Sequence, residues 1–480
     1  METILKNYID GNFVESNDSE SMNNLNPATG EVISIIPLSK KSDVEIAVTA
    51  AKRAQENWAG LSIEKRASYL EKIADELEAN IEKIAELESK DTGKPITLAR
   101  NVDATRSVAN FRFFAEAIKT LPAETHEMPD ATNYTLRKPV GAVGLITPWN
   151  LPLYLLSWKV APALIMGNTI IAKPSELTPM TADYLAKTIH KVGLPKGVFN
   201  LIHGLGKDAG QAIVENPSIG AISFTGGTET GKQVARAAAP LFKKISLELG
   251  GKNSSLIFSD CDFEKTIAGV ARAAFLNNGQ VCLAGSRVLI EETIFERFSE
   301  RLVQKIAEMK IGDPMHPDTE LGSLVSMEHL NKIEKYIKLG VEEGGIILHG
   351  GKIPKMTDYF KKGAFIEPTV IKNVETNSRI STEEIFGPIV TLHSFKNEEE
   401  VISIANDVDY GLAASVWTQD IEKAERVSSA LETGMVWINT WLHRDLRVPF
   451  GGVKASGVGR EGGRYSLEFF SETQNICIKY

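Results

Sequence analysis

Pro139-Val140-Gly141-Ala142-Val143-Gly144-Leu145-Ile146-Thr147-Pro148-Trp149-Asn150-Leu151-Pro152-Leu153-Tyr154-Leu155-Leu156-Ser157-Trp158 carries no charged side chain, and Lys159 closes it. A charge-free run of about twenty residues has the length of a membrane-spanning helix. Gly141, Gly144, Pro148, Asn150 and Pro152 interrupt it, however, and two prolines and an Asn in mid-span would leave polar groups unpaired in lipid. The same run reads as a buried strand, Val143-Gly144-Leu145-Ile146, then a loop, then a helix opened by Pro152. The pattern recurs downstream in Thr169-Ile170-Ile171-Ala172, Val198-Phe199-Asn200-Leu201-Ile202 and Ala221-Ile222-Ser223-Phe224. Helical segments are predicted near 152–167, 178–192, 207–215 and 229–239. Strand, helix and strand in alternation predict a doubly wound parallel α/β sheet.

The alternation starts again after Gly250. Ser254-Ser255-Leu256-Ile257-Phe258 and Arg287-Val288-Leu289-Ile290 read as strands, with helices over Phe263–Asn277 and near 294–309, so a second α/β domain is expected to end near 450. Upstream, Asp10-Gly11 between extended residues predicts a hairpin. Ser42-Asp43-Val44-Glu45 reads as a capping box opening a helix toward Trp58. Leu70, Ile73, Leu77, Ile81 and Ile84 predict one amphipathic helix ending near Gly93-Lys94-Pro95.

At 480 residues the chain exceeds one ordinary core. A net charge of −9 argues against nucleic acid or an anionic membrane surface as a partner, since both need clustered positive charge. The opening Met1-Glu2-Thr3-Ile4-Leu5-Lys6-Asn7 has no apolar core, so no secretory signal is expected there. Cys261, Cys282 and Cys477 are odd in number and widely spaced, which predicts a reducing, cytoplasmic setting. No histidine pair at ligand spacing and no Cys-x-x-Cys occurs, so no metal site is expected.

Several strand-end turns carry chemistry. His203-Gly204-Leu205-Gly206-Lys207-Asp208-Ala209-Gly210 resembles a dinucleotide turn with one residue too many before the last Gly. Phe224-Thr225-Gly226-Gly227-Thr228-Glu229-Thr230-Gly231-Lys232 almost spells an ATP-binding phosphate loop, but Gln233 stands where a magnesium-binding Ser or Thr belongs. Either turn is a plain helix start or a pyrophosphate site. Lys173-Pro174-Ser175-Glu176 lies at a strand's carboxyl end. It forms a surface ion pair, or it holds ribose hydroxyls with an acid that disfavours the extra phosphate of NADP. Asn150 caps the next helix through an Asx turn, or offers its amide to an oxyanion. Cys282, in Asn277-Asn278-Gly279-Gln280-Val281-Cys282, is a buried inert thiol or a nucleophile, and Glu248 could serve it as general base.

Taken together, Pro148-Trp149-Asn150, Lys173-Pro174-Ser175-Glu176, Phe224-Thr225-Gly226, Glu248-Leu249-Gly250-Gly251-Lys252, Gly279-Gln280-Val281-Cys282 and Glu384-Ile385-Phe386-Gly387-Pro388 resemble the aldehyde dehydrogenase superfamily in order and spacing, over essentially the whole chain. The resemblance implies that Cys282 attacks the aldehyde carbon, that Asn150 and the Cys282 N–H hold the oxyanion, and that Glu248 activates water against the resulting thioester. A coenzyme A-acylating relative would typically lack this Glu. The cofactor implied is NAD, bound by Ile146, Thr147, Pro148, Trp149, Lys173, Ser175, Glu176, Gly206, Gly210, Phe224, Thr225, Gly226, Gly227, Leu249, Glu384 and Phe386. The implied domains are 1–121 and 141–250 for NAD, with 451–462 returning to it, and 251–450 for catalysis. The stretches 122–140 and 463–480 would be arms of a small β oligomerisation element of a homodimer or homotetramer.

Thr105-Arg106-Ser107 and His443-Arg444-Asp445 resemble the 2-aminomuconic and 2-hydroxymuconic semialdehyde branch, as does Leu153-Tyr154-Leu155-Leu156-Ser157-Trp158-Lys159. A guanidinium binds a carboxylate bidentately. The resemblance therefore implies Arg106 and Arg444 as carboxylate binders, beside Tyr154 and Trp158, with Arg112 and Arg447 as weaker candidates. The alternative is structural pairing, since Asp445 adjoins Arg444. The other substrate reading is an aliphatic, aromatic or betaine aldehyde; Arg444 would oppose a cationic one.

Overall fold

The computed structural model describes residues 3–121 and 124–480. Two parallel-rich sheets organise it. The first contains β1 (Ala142–Ile146), β2 (Thr169–Lys173), β3 (Phe199–Leu201), β4 (Ala221–Thr225) and β5 (Lys244–Glu248). Their order is β5-β4-β1-β2-β3, all parallel, so the winding reverses between β1 and β4. The hairpin Asn7–Ile9 and Asn12–Val14 joins antiparallel beside β3, and Gly457–Val458 joins antiparallel beside β5. The second sheet contains β6 (Ser254–Ile257), β7 (Arg287–Glu291), β8 (Thr369–Lys372), β9 (Ile389–Phe395), β10 (Ala413–Trp417) and β11 (Met435–Ile438), in the order β8-β9-β7-β6-β10-β11, with Ile346–His349 antiparallel at its edge. The expected two doubly wound sheets are present.

The charge-free run is β1, a loop, and the helix Pro152–Ile165, whose residues from Pro152 to Ile165 are buried except Leu155. Lys159 does not end the helix but sits buried within it. Its ammonium donates to Glu461 Oε1 at 2.6 Å and Ser223 Oγ at 2.8 Å, so the charge is paired and hydrogen-bonded, as burial demands. No helix among the described residues is long and apolar enough to cross a membrane.

Two local expectations change, and the irregular Gly204–Gly210 turn is present as expected. The helix toward Trp58 starts at Lys41, and Ser42 does not cap it. Asp43 instead accepts from Lys40 N, Ser16 Oγ and Asn17 N at 3.0–3.2 Å, which stitches the preceding chain to the first turn. The apolar run through Ile84 is two helices, Ile63–Glu78 and Ile81–Thr92. Asn80 breaks it by donating its amide to Glu76 O at 2.8 Å, a local bond that competes with helix continuation. The extra residue of the Gly204–Gly210 turn is absorbed by a wide π-helical turn, Gly206–Gly210, ahead of Gln211–Glu215.

At the C-terminus the helix Gly463–Phe469 packs with Leu467 and Phe470 into the core beneath the first sheet. The strand Ser471–Lys479 then pairs antiparallel with Ala131–Pro139, which pairs with Thr125–Met128. Of the expected arm 122–140, residues 122 and 123 lie outside the described residues.

Candidate active site

The carboxyl ends of the first sheet's strands face the amino ends of the second sheet's. Asn150 follows β1, Gly226 and Gly227 follow β4, and Glu248 ends β5. Opposite them, Cys282 lies in the loop between the helix Phe263–Phe275 and β7, and Glu384 and Phe386 precede β9. This is the crevice at a winding reversal where open α/β sheets take ligands.

A cavity of about 260 Å³ lies between these ends, lined by Pro148, Trp149, Asn150, Leu155, Thr225, Gly226, Gly227, Leu249, Gly250, Cys282, His329, Lys332, Glu384 and Phe386. A second, of about 380 Å³, is lined by Ile146, Glu176, Leu205, Gly206, Lys207, Gly210, Gln211, Val214, Phe224, Thr230, Gln233 and Val234. The two flank the turn Phe224–Thr230. The remaining predicted cofactor residues line neither. Lys173 is buried and donates to Glu176 Oε2 at 3.1 Å and Pro174 O at 2.8 Å, with burial lowering the affinity of its amine for a proton. Ser175 Oγ accepts from Leu177 N at 3.2 Å, an ordinary turn bond. Thr147 is buried beside Pro148.

The thiol loop is tightly specified. Asn277, Asn278 and Gly279 take successive left-handed conformations, φ 53°, 55° and 67°. Asn253 Nδ2 donates to Cys282 O at 2.7 Å and Ala284 O at 3.0 Å. Asn150 does not cap its own helix; its Nδ2 donates to Gln280 O at 3.0 Å, across to the thiol loop. An amide carries a second N–H, which remains for a ligand. The Cys282 N–H donates to no other residue among those described. No helix begins at Cys282, so a helix N-terminus does not lower its pKa.

Electrostatically the site favours protons. Burial pushes the Cys282 thiol up to about 12; Glu248 and Glu384 add to this and Arg444 opposes it. Burial also pushes Glu248 well above the usual carboxylate range, aided by Glu461 and opposed by Lys159, Arg460 and Arg444. Glu248 Oε1 has no hydrogen-bond partner among the described residues. Glu384 is raised by burial, although Gly251 N donates to it at 3.0 Å. Phe386, at φ 62°, meets the Trp149 ring edge-on at 5.2 Å, and His329 Nε2 lies 2.8 Å from Phe386 O.

The arginines separate into two pairs. Arg447 binds Asp445 and Arg112 binds Asp75 and Glu78, so both are structural and Asp445 is not Arg444's partner. Arg444 and Arg106 have no ion-pair partner among the described residues. The Arg444 Cζ lies 4.2 Å from the Phe450 ring centre, 4.9 Å from that of Trp158 and 5.9 Å from that of Tyr154, and the Arg106 Cζ lies 5.7 Å from the Tyr154 ring centre. Sequence reading missed His329, Lys332, Leu155 and Phe450. The first two sit on the helix Met327–Glu342 and reach the site only through packing; no local signal marks them.

Residues 13–476 match the aldehyde dehydrogenase family. A 2-aminomuconic 6-semialdehyde dehydrogenase from Pseudomonas is 46% identical, covering 99% of this chain and 98% of that one. A 2-hydroxymuconic semialdehyde dehydrogenase from another Pseudomonas is 43% identical, covering 99% of each. A betaine aldehyde dehydrogenase from Staphylococcus aureus, solved in complex with NAD+, superposes with a TM-score of 0.96 at 41% identity, covering 98% of this chain and 94% of that one.

Proposed function

The chain belongs to the aldehyde dehydrogenase family, and from that premise we propose that it oxidises a carboxylate-bearing semialdehyde, such as 2-aminomuconic or 2-hydroxymuconic semialdehyde, with NAD and water. Cys282 gives up its thiol proton to solvent as Sγ bonds to the aldehyde carbon; the carbonyl π pair moves to oxygen, and the Asn150 amide with the Cys282 N–H stabilises that oxyanion. NAD, when bound, supplies the acceptor for the aldehyde hydrogen and its electron pair. Glu248, in its ionised form, takes a proton from the water that attacks the Cys282 thioester; the C–S bond breaks, releasing the acid and returning the Cys282 sulfur.

The residues present fit NAD. Thr225 Oγ1 and Thr147 Oγ1 are buried without hydrogen-bond partners among the described residues, and a side chain built at Gly227 would meet nothing within 4 Å. Two cavities on either side of one strand-to-helix turn suit the two halves of a dinucleotide. Gly226 and Gly227 would lie along the pyrophosphate, Glu176 and Lys173 at the adenosine ribose, and Glu384 and Phe386 at the nicotinamide half.

The observation that carries the substrate class is that Arg444 and Arg106, beside one aromatic cluster, have no ion-pair partner among the described residues. The second reading, betaine aldehyde, draws on the solved relative and on that same wall, because Tyr154, Trp158 and Phe450 could cage a cation. Here Arg444 already covers their faces, and a quaternary ammonium would meet its charge. The test is NADH production from a semialdehyde with and without its distal carboxylate, and from betaine aldehyde. Preference for the betaine would overturn the reading.

A homodimer or homotetramer in the cytoplasm completes the proposal. Ser471–Lys479 is a mostly exposed edge strand of a small separate sheet, a feature that invites pairing with another chain, and all three cysteines are free.

A further inference from the structure

A buried cation lies behind Asn150. The Lys94 side chain is fully enclosed, and its Nζ donates to Asn150 O at 2.8 Å and Asp103 Oδ2 at 2.9 Å, with Glu88 Oε1 at 3.8 Å. Asn150 O also accepts from Asn277 Nδ2 at 3.3 Å, and that amide reaches Gln280 O at 3.2 Å. Asn150 Nδ2 meets the same Gln280 O at 3.0 Å. One peptide oxygen thus links the ammonium to the loop that ends in Cys282.

The cation's own setting is rigid. Ser89 Oγ donates to Lys94 O at 2.7 Å, and Ser323 N donates to Gly93 O at 3.0 Å, which joins this corner to the second sheet's half of the chain. Two carboxyls face one ammonium. Both Glu88 oxygens and Asp103 Oδ1 lack a donor among the described residues. Burial and the neighbouring Asp103 push Glu88 well above the usual carboxylate range, toward its protonated form, and Asp103 Oδ2 is the carboxyl oxygen nearest Lys94 Nζ. A buried ammonium costs stability unless it is paired and hydrogen-bonded, and here Asp103 and the Asn150 carbonyl hold it.

We propose that Lys94 is a positioning residue for the reaction: anchored by Asp103, it fixes the Asn150 main chain and through it the Asn150 amide and the Cys282 loop. This rests on the reading of Asn150 as the oxyanion donor.

A double-mutant cycle tests it. Asn150→Ala lowers kcat by roughly 10²–10³-fold if the amide holds the oxyanion. Lys94→Met lowers kcat at least about tenfold with KM within about threefold, and in the Asn150→Ala background it costs no more than about twofold further. A full kcat in Asn150→Ala sinks the oxyanion reading and this proposal with it. A normal Asn150→Ala loss with a multiplicative Lys94→Met loss overturns the proposal alone. Should Lys94→Met fail to fold, the carboxyls decide: Glu88→Gln, a neutral stand-in for the protonated acid, keeps kcat within about twofold, and Asp103→Asn loses about tenfold. Equal or reversed losses in that pair overturn it.

Discussion

The Arg444 Cζ lies over the Trp158 ring, 4.9 Å from its centre, and Trp158 in turn packs on Phe114 with ring centres 5.5 Å apart. The aromatic wall therefore holds the cation in place while its N–H fork has no ion-pair partner among the described residues. A charge-assisted bidentate contact is worth roughly 1.5–3 kcal/mol, about 10–100-fold in affinity. Arg444→Ala is expected to raise KM for the semialdehyde by that factor and to leave a short neutral aldehyde within about threefold. Unchanged constants for both substrates would remove the clamp.

Glu248 is expected to act after the carbon has been oxidised. Glu248→Gln should then leave the first turnover intact and slow the later ones by roughly 10²–10⁴, the usual worth of a general base. Rapid mixing would read a burst of NADH equal to the enzyme sites, followed by a slow phase. A slowed burst would assign Glu248 to the first proton transfer instead.

The chain order of the site was legible because most of it lies at strand ends, where sequence and position are locally coupled. Ile146 through Asn150 and Phe224 through Gly227 are each set by one strand and the turn that follows it. The backbone of the Cys282 loop was not legible: the helix expected over Phe263–Asn277 ends at Phe275, and Asn277, Asn278 and Gly279 turn left-handed. Contacts between distant segments were not legible. Lys94 reads as the residue after a helix-ending Gly; only the fold brings it to Asn150, 56 residues away. Asp445 adjoins Arg444 in sequence yet pairs with Arg447, because Arg444 turns inward onto Phe450. The helix break at Asn80 was hidden because Ile81 and Ile84 continue the apolar spacing.

The free protein's thiol should be slow to alkylate. With Cys282 pushed up to about 12, its thiolate fraction near neutrality is small, and it rises about tenfold per pH unit while the pH stays below that value. Exposed Cys477 is expected to take iodoacetamide first at pH 7 and to stay ahead through about pH 10, with Cys282 labelling gaining only as the pH climbs toward about 12. Glu248→Gln removes one of the negative neighbours that raise the thiol, so Cys282 should label faster in that variant at alkaline pH. Peptide mapping by mass spectrometry separates the sites. Fast labelling of Cys282 at pH 7 would mean the free enzyme already holds thiolate.

Two glycines of the site should answer oppositely to alanine. Gly279 has φ 67°, and a Cβ there would lie 2.3 Å from Gly387 O, where the thiol loop meets the segment carrying Glu384 and Phe386. Left-handed strain of roughly 1–3 kcal/mol plus a backbone clash must displace one segment or the other. Gly279→Ala is expected to lower the melting temperature by several degrees and kcat by at least about tenfold. Gly227 has φ −69° and open space around it, so Gly227→Ala should melt as the parent does. Its new methyl projects toward the space assigned to the pyrophosphate, so KM for NAD should rise while kcat holds. Parent-like cofactor affinity in Gly227→Ala, measured by quenching on NADH addition, would place the phosphates elsewhere along the turn.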